Sequence, residues 1–187
     1  MKAVQIGVIA EEQNDVDVLY EFTSKLIAEN KFKFSKFVGH GCGMLRRKCG
    51  AWAKNLASRG CTHLVVMHDL DNRNEAELRR ELCDAIKKFD NSLILIPILE
   101  LEAWLLCDAV AIKKTFGVTK HLKTPANPER VVNPKEKLRD IVYKSCKKRY
   151  INTIHNKKIA AAIQVKHLKA CSSFSSYPNF IKESVRK

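Results

Sequence analysis

Six carboxylates of this 187-residue chain stand in three pairs, and each pair follows an apolar run. Glu11 and Glu12 come after residues 3–10, Asp69 and Asp71 after His63-Leu64-Val65-Val66-Met67-His68, and Glu100 and Glu102 after the run beginning at Ser92. Like charges held this close repel, and a hard divalent cation between them relieves the repulsion. The chemistry that follows is that of a Mg²⁺ or Mn²⁺ site holding one or two ions. A single acid pair after a strand would be an ordinary solvated turn or helix cap. Three groups in equivalent places make one shared pocket the economical arrangement.

A shared pocket needs elements that bring the pairs to one edge. Residues 3–10 read as a buried strand, and Val16, Leu19, Phe22, Leu26 and Ile27 then recur at helical spacing, with Asn14 or Asp15 as the N-cap. Residues 32–38 alternate as a half-exposed strand. Gly39, Gly41 and Gly43 make a glycine-rich turn before a helix carrying Leu45, Trp52 and Leu56. That turn lacks the Lys-Ser/Thr ending of a nucleotide loop, so it reads as a tight connection, or as a phosphate cradle helped by Arg46, Arg47 and Lys48.

The third strand is the His63 run, followed by an amphipathic helix over 72–89. The fourth is 92–98, where Pro97 argues for an edge position or a strand end. Strands alternating with helices predict an α/β fold with a mainly parallel four-stranded sheet. In such sheets ligands gather at the carboxyl ends of the strands, where all three acid pairs fall.

From Asp108 the chain changes character, so residues 1–107 are expected to form the α/β domain and 108–187 a basic helical extension packed on it. Asp108 caps a short helix that stops at Gly117. Asn133-Pro134-Lys135-Glu136 starts another, with Asn as cap, Pro in the first position and Glu three residues after the cap. Helices are also expected near 156–170 and 178–185. Phe174, Tyr177 and Phe180 read as docking aromatics rather than base-stacking ones.

Charge follows the same division. Residues 1–112 hold 15 Lys and Arg against 16 Asp and Glu, whereas 113–187 hold 19 against 4. Clustered cations such as Lys144, Lys147, Lys148 and Arg149 gain by displacing counterions from phosphates, so DNA or RNA is the expected partner. No basic helix here faces a bulky aromatic stripe, and no apolar run is long enough for a bilayer; no membrane partner and a cytoplasmic location are expected. The seven cysteines form no CxxC pair and read as reduced, mostly buried small hydrophobes. Homodimerisation stays open.

The order strand, glutamate, turn, helix, then a later strand ending in Asp69-Leu70-Asp71, resembles the Toprim domain of topoisomerases, primases and OLD-type nucleases over about residues 3–107. The run from Glu100 to Asp108, with Asn133-Pro134-Lys135-Glu136 downstream, is similar to small stand-alone Toprim-like proteins encoded beside ABC-type ATPases in prokaryotic defence loci. The resemblance implies that Glu11 is the Toprim glutamate and that Asp69 and Asp71 are the metal-binding pair. Asp15 matches a further acid of the nuclease branch, and Glu100 and Glu102 would serve a second metal. The glycine usual after the glutamate is Glu12 here, which leaves Glu11 and Glu12 both candidates for the pocket.

The expected activity is metal-dependent hydrolysis of nucleic-acid phosphodiesters by Glu11, Asp69 and Asp71, with Lys135 steadying the phosphate and water as nucleophile. An ABC-type ATPase is the expected protein partner. The rival reading is a non-catalytic nucleic-acid-binding or regulatory subunit of the same ATPase.

Overall fold

The computed structural model describes residues 3–186. Four strands, β1 (Val4–Ala10), β2 (Phe32–Val38), β3 (His63–Met67) and β4 (Ser92–Leu95), form one sheet in the order β2-β1-β3-β4 with every pair parallel. The sequence explains the order. All five residues of β3 are buried, as are the last five of β1, because both strands lie between neighbours and under helices on both faces. At one edge β2 is half exposed, and β4 at the other is short. β4 ends before Pro97, which has no N–H to donate, so the strand is shorter than the expected 92–98.

Helices α1 (Gln13–Leu26), α2 (Cys42–Ser58) and α3 (Glu75–Ile86) connect the strands. Alternate strand residues divide the core in two. Ile9, Leu64, Val66, Ile94 and Ile96 pack against α2 and α3. Those two helices lie so close that a Cβ on Gly50 would stand 2.8 Å from the Ala85 carbonyl oxygen. On the other face Ile6, Val8, Ala10, Val65, Met67 and Leu95 meet α1 and the helices that follow β4.

Those later helices are α4 (Glu102–Leu105), α5 (Ala109–Phe116), α6 (Pro134–Cys146), α7 (Asn152–Ala162) and α8 (Tyr177–Ser184). Trp104, Ile112, Leu138, Ile159, Phe174 and Tyr177 enter the same core as β1 and α1. Phe174 and Tyr177 are buried, so they dock rather than offer faces to bases.

Several boundaries shift for local reasons. α1 starts at Gln13 with Glu12 as N-cap, because Asp15 sits at the third helical position and accepts a hydrogen bond from the Glu12 N–H at 2.8 Å. α3 begins later than Asn72 because Asp71 and Asn72 take φ of 48° and 60°, and Asn74 caps it through the Glu77 N–H. The helix expected over 156–170 ends at Ala162. There the Lys25 ammonium of α1 takes the carbonyls of Ala160 and Ile163, and the Asp108 carboxylate takes the Gln164 N–H at 3.1 Å. A 3₁₀ stretch, Val165–Ala170, follows.

Candidate metal centre

After β1 the chain turns to one face of the sheet through α1, and after β3 to the other through α3. The carboxyl ends of β1 and β3 therefore flank a switch point, the crevice in which open α/β sheets hold ligands. Glu11 leaves the end of β1 and Asp69 the end of β3. One Glu11 carboxylate oxygen accepts the Asp69 backbone N–H at 3.0 Å and lies 3.0 Å from His68 Nδ1. Glu12, its neighbour, is exposed at the helix cap. Of the two glutamates, Glu11 faces the crevice.

His68 is fully buried. Its Nδ1 faces two acceptors, the Glu11 carboxylate and, at 2.6 Å, the Asp69 carbonyl, so the proton belongs on Nδ1. Burial holds its pKa below the ordinary value, and a neutral ring positions Glu11 without cancelling its charge.

Asp69 is the most stressed acid of the group. Its carboxylate accepts no hydrogen bond among the described residues. Burial first, and then the charges of Asp15, Glu102, Glu11 and Asp71, push its pKa well above the ordinary value. Burial likewise raises Glu11 to about 7, with Asp71 and Glu12 adding to the rise and the Asp69 N–H and Arg46 opposing it. Asp15, 8% exposed, is also raised to about 7, by burial and then by Glu12, Glu11 and Glu102 against the Glu12 N–H bond. The carboxylates converge, and each raises its neighbours' pKa by like charge.

At the mouth, donor atoms of Glu11, Cys42 and Asp71 all lie within 4.8 Å of one another, the spacing of a metal-ligand set. No other trio among the described residues meets it. Asp15, Asp69 and Glu102 feel one another's charge without closing to that spacing as a trio. The loops that present the acids are strained, since Asp71 and Leu99 adopt φ of 48° and 66°. Two carboxylates and a thiol, with a third carboxylate nearby, make a mixed donor set: its oxygens suit Mg²⁺ or Mn²⁺, and its sulfur suits a softer ion.

The fourth strand's acids divide. Glu102 is buried, and one of its oxygens accepts the Tyr150 hydroxyl at 2.9 Å and the Asn156 amide at 3.2 Å. Burial and Glu102 together hold Tyr150 well above its ordinary pKa, so it stays a donor. Glu100 accepts the Lys135 backbone N–H at 2.9 Å and thereby caps α6. The expected cap does not form, for Asn133 makes no capping bond and Glu136 turns to Arg139 at 2.6 Å. Glu100 thus ties the start of α6, through the Lys135 backbone, to the loop after β4.

Sequence reasoning missed Cys42, Tyr150 and Asn156. Cys42 had a signal, since it opens α2 directly after the glycine turn. Tyr150 and Asn156 had none, being brought to Glu102 by tertiary packing alone. The glycine turn is a tight connection. Its Gly39 N–H goes to the Ala10 carbonyl at 2.9 Å, which removes that N–H from any phosphate cradle.

Arg46 reaches Glu81 at 3.4 Å, while Arg47 and Lys48 are exposed. Lys148 donates to the Phe116 carbonyl at 2.7 Å and finishes α5. Lys144 pairs with Asp140, Lys147 lies over the Tyr143 ring, and Arg149 is exposed.

The parallel sheet, with helices on both faces and acids clustered after β1 and β3, defines an α/β protein. The chain belongs to the DUF4276 family, whose model, described as a domain of unknown function, matches residues 11–182. No curated protein and no solved structure matches the chain significantly. Among the described residues no helix is long and apolar enough to cross a membrane.

Proposed function

We propose that the protein is a metal-dependent nuclease that hydrolyses phosphodiester bonds of DNA or RNA, acting as the effector of an ATPase-coupled anti-phage defence system. The observation that carries the reaction class is the unpaired Asp69 carboxylate, held among four others at the switch point of a parallel sheet. The Toprim resemblance supplies the ATPase partner, and the basic residues after 112 supply attraction to phosphates.

Glu11, Asp69 and Asp71, with Cys42 beside them, would hold one divalent ion, and Asp15, Glu100 and Glu102 a second. Bound there, such ions would neutralise charge developing on the scissile phosphate and lower the pKa of a water. The protein's own groups do the positioning. His68 and the Asp69 N–H fix Glu11, while Tyr150 and Asn156 fix Glu102. Lys135, whose backbone N–H is held by Glu100, would steady the phosphate. Water is the nucleophile, since the buried Tyr150 hydroxyl, the one at Glu102, is held between that carboxylate and the Asn156 side-chain oxygen.

A second reading follows from the ligand spacing. Only Glu11 and Asp71 of the expected carboxylates join the close trio, with a cysteine as its third member. That arrangement also suits a non-catalytic nucleic-acid-binding or regulatory subunit that has kept the basic surface. Incubation with plasmid, single-stranded DNA and RNA, in Mg²⁺, Mn²⁺ or EDTA, with and without the ATPase, separates the two. Cutting that requires metal and vanishes in Asp69→Ala/Asp71→Ala is expected. Absence of cutting in every arm, or cutting that survives the double substitution, overturns the nuclease reading.

A further inference from the structure

Between α6 and the start of α7 the helical layer forms a concavity. Lys135 and Arg139 of α6, with Arg149, Tyr150, Ile151 and Asn152 at the turn into α7, line a cavity of about 360 Å³. Three of these side chains are cations and none is a carboxylate. Arg139 shares Glu136, which is itself half exposed, whereas Lys135 and Arg149 have no ion pair among the described residues. The cavity also faces the start of α7 at Asn152, the positive end of that helix. Its wall includes Tyr150, whose hydroxyl is bound to Glu102, so pocket and crevice share one residue.

Lys135 and Arg149, without ion-pair partners among the described residues, and Arg139, paired with the exposed Glu136, leave the concavity with an excess of positive charge that an anion would offset. Two guanidinium forks and an ammonium match the oxygens of a phosphate group. We propose that this pocket is a phosphate-holding subsite that grips the nucleic-acid strand one step away from the acid crevice. It rests on the nucleic-acid reading above and adds where the strand is anchored. The phosphate is either a diester within the strand or a monoester at its end.

The test is binding of a fluorescent single-stranded 12-mer, carrying a 5′-phosphate or a 5′-hydroxyl, to the full chain in EDTA. The proteins compared are the native chain, Arg139→Gln/Arg149→Gln, and Lys87→Gln/Lys88→Gln as a pair of equal charge at the end of α3. Circular dichroism melts establish that each is folded.

The pocket variant is expected to bind about tenfold more weakly, with a salt dependence shallower by about 1.4 in log–log slope for two lost phosphate contacts. The α3 pair is expected to stay within about twofold of native. Inorganic phosphate should compete with the native chain more effectively than with the pocket variant. A loss confined to the phosphorylated strand assigns the monoester, and an equal loss on both strands assigns the diester.

Unchanged binding by the pocket variant, or an equal loss in the α3 pair, overturns the subsite. Because nothing is cut in EDTA, failure of the nuclease reading leaves this result standing. Failure of the subsite leaves cutting untouched.

Discussion

Asp69 and Asp108 are both drawn out of full solvent contact, and they are treated in opposite ways. Asp108 accepts hydrogen bonds from the N–H groups of Val110, Ala111 and Gln164 at 2.9, 3.1 and 3.1 Å, and His167 Nδ1 lies 2.8 Å away. Burial pushes its pKa up, but the Gln164 N–H, His167 and the Ala111 N–H outweigh it, and the net shift is downward. Asp69 has the burial without the donors, and its closest charges are other carboxylates. A carboxylate that holds a fold together arrives with its hydrogen-bond partners, whereas one left without them is waiting for something from outside.

The largest expected effect breaks that contrast outright. Asp69→Asn should reduce cutting by at least about a hundredfold, since it removes a charge from the ion-binding group, and yet raise the melting temperature of the metal-free protein. Asp108→Ala should do the reverse. Stranding three backbone donors costs about 3 kcal/mol, or roughly 6–12 °C in Tm for a chain of this size, with cutting per folded molecule unchanged. Thermal melts and cutting assays on the two variants check both, and a destabilised Asp69→Asn would remove the basis of the comparison.

Titration sharpens the same contrast. Glu11 and Asp15 are raised to about 7 from ordinary values of 4.5 and 3.8, so the native chain holds protons that the unfolded chain has lost. A raised acid pKa gives stability that is full below the unfolded value and is lost as pH rises through the folded one. Melts in EDTA should therefore show Tm falling between about pH 4 and 7, with Mn²⁺ restoring more of it at pH 8 than at pH 5. A Tm that rises across that range in EDTA would contradict the arrangement. Asp108 acts with the opposite sign and at lower pH, its stabilisation fading as acid protonates it.

How much of this was legible in the sequence follows from which forces are local. Strand ends, α/β alternation and the burial of β1 and β3 are written in apolar runs, and Glu11, Asp69 and Glu102 stand directly after them. The Asp108 cap and the Gly117 stop of α5 were equally readable, because a cap and its helix are neighbours. Contacts made across the fold were not. Glu100 capping α6, Lys25 ending α7, and Tyr150 holding Glu102 join residues tens of positions apart. Cys42 lay between, beside a visible turn but with no sign of what it would face.

Two smaller effects follow. Tyr150→Phe leaves Glu102 short of a donor and should lower cutting at least about tenfold with little change in fold, a hydrogen bond to a charged group being worth about 1.5–3 kcal/mol. Cys42→Ser should leave Mg²⁺-supported cutting near native while weakening Mn²⁺ binding relative to Mg²⁺, read by calorimetric titration of each ion. Equal loss for both ions would show that Cys42 shapes the loop rather than the donor set.

The most direct test is a crystal of the protein soaked in Mn²⁺ and measured at the manganese absorption edge. The expected result is an anomalous peak between the ends of β1 and β3, bonded to the carboxylates of Glu11 and Asp71 with Asp69 behind it. A crevice that remains without a peak in a fully soaked crystal, its acids paired through shared protons instead, would contradict a metal centre at this sheet.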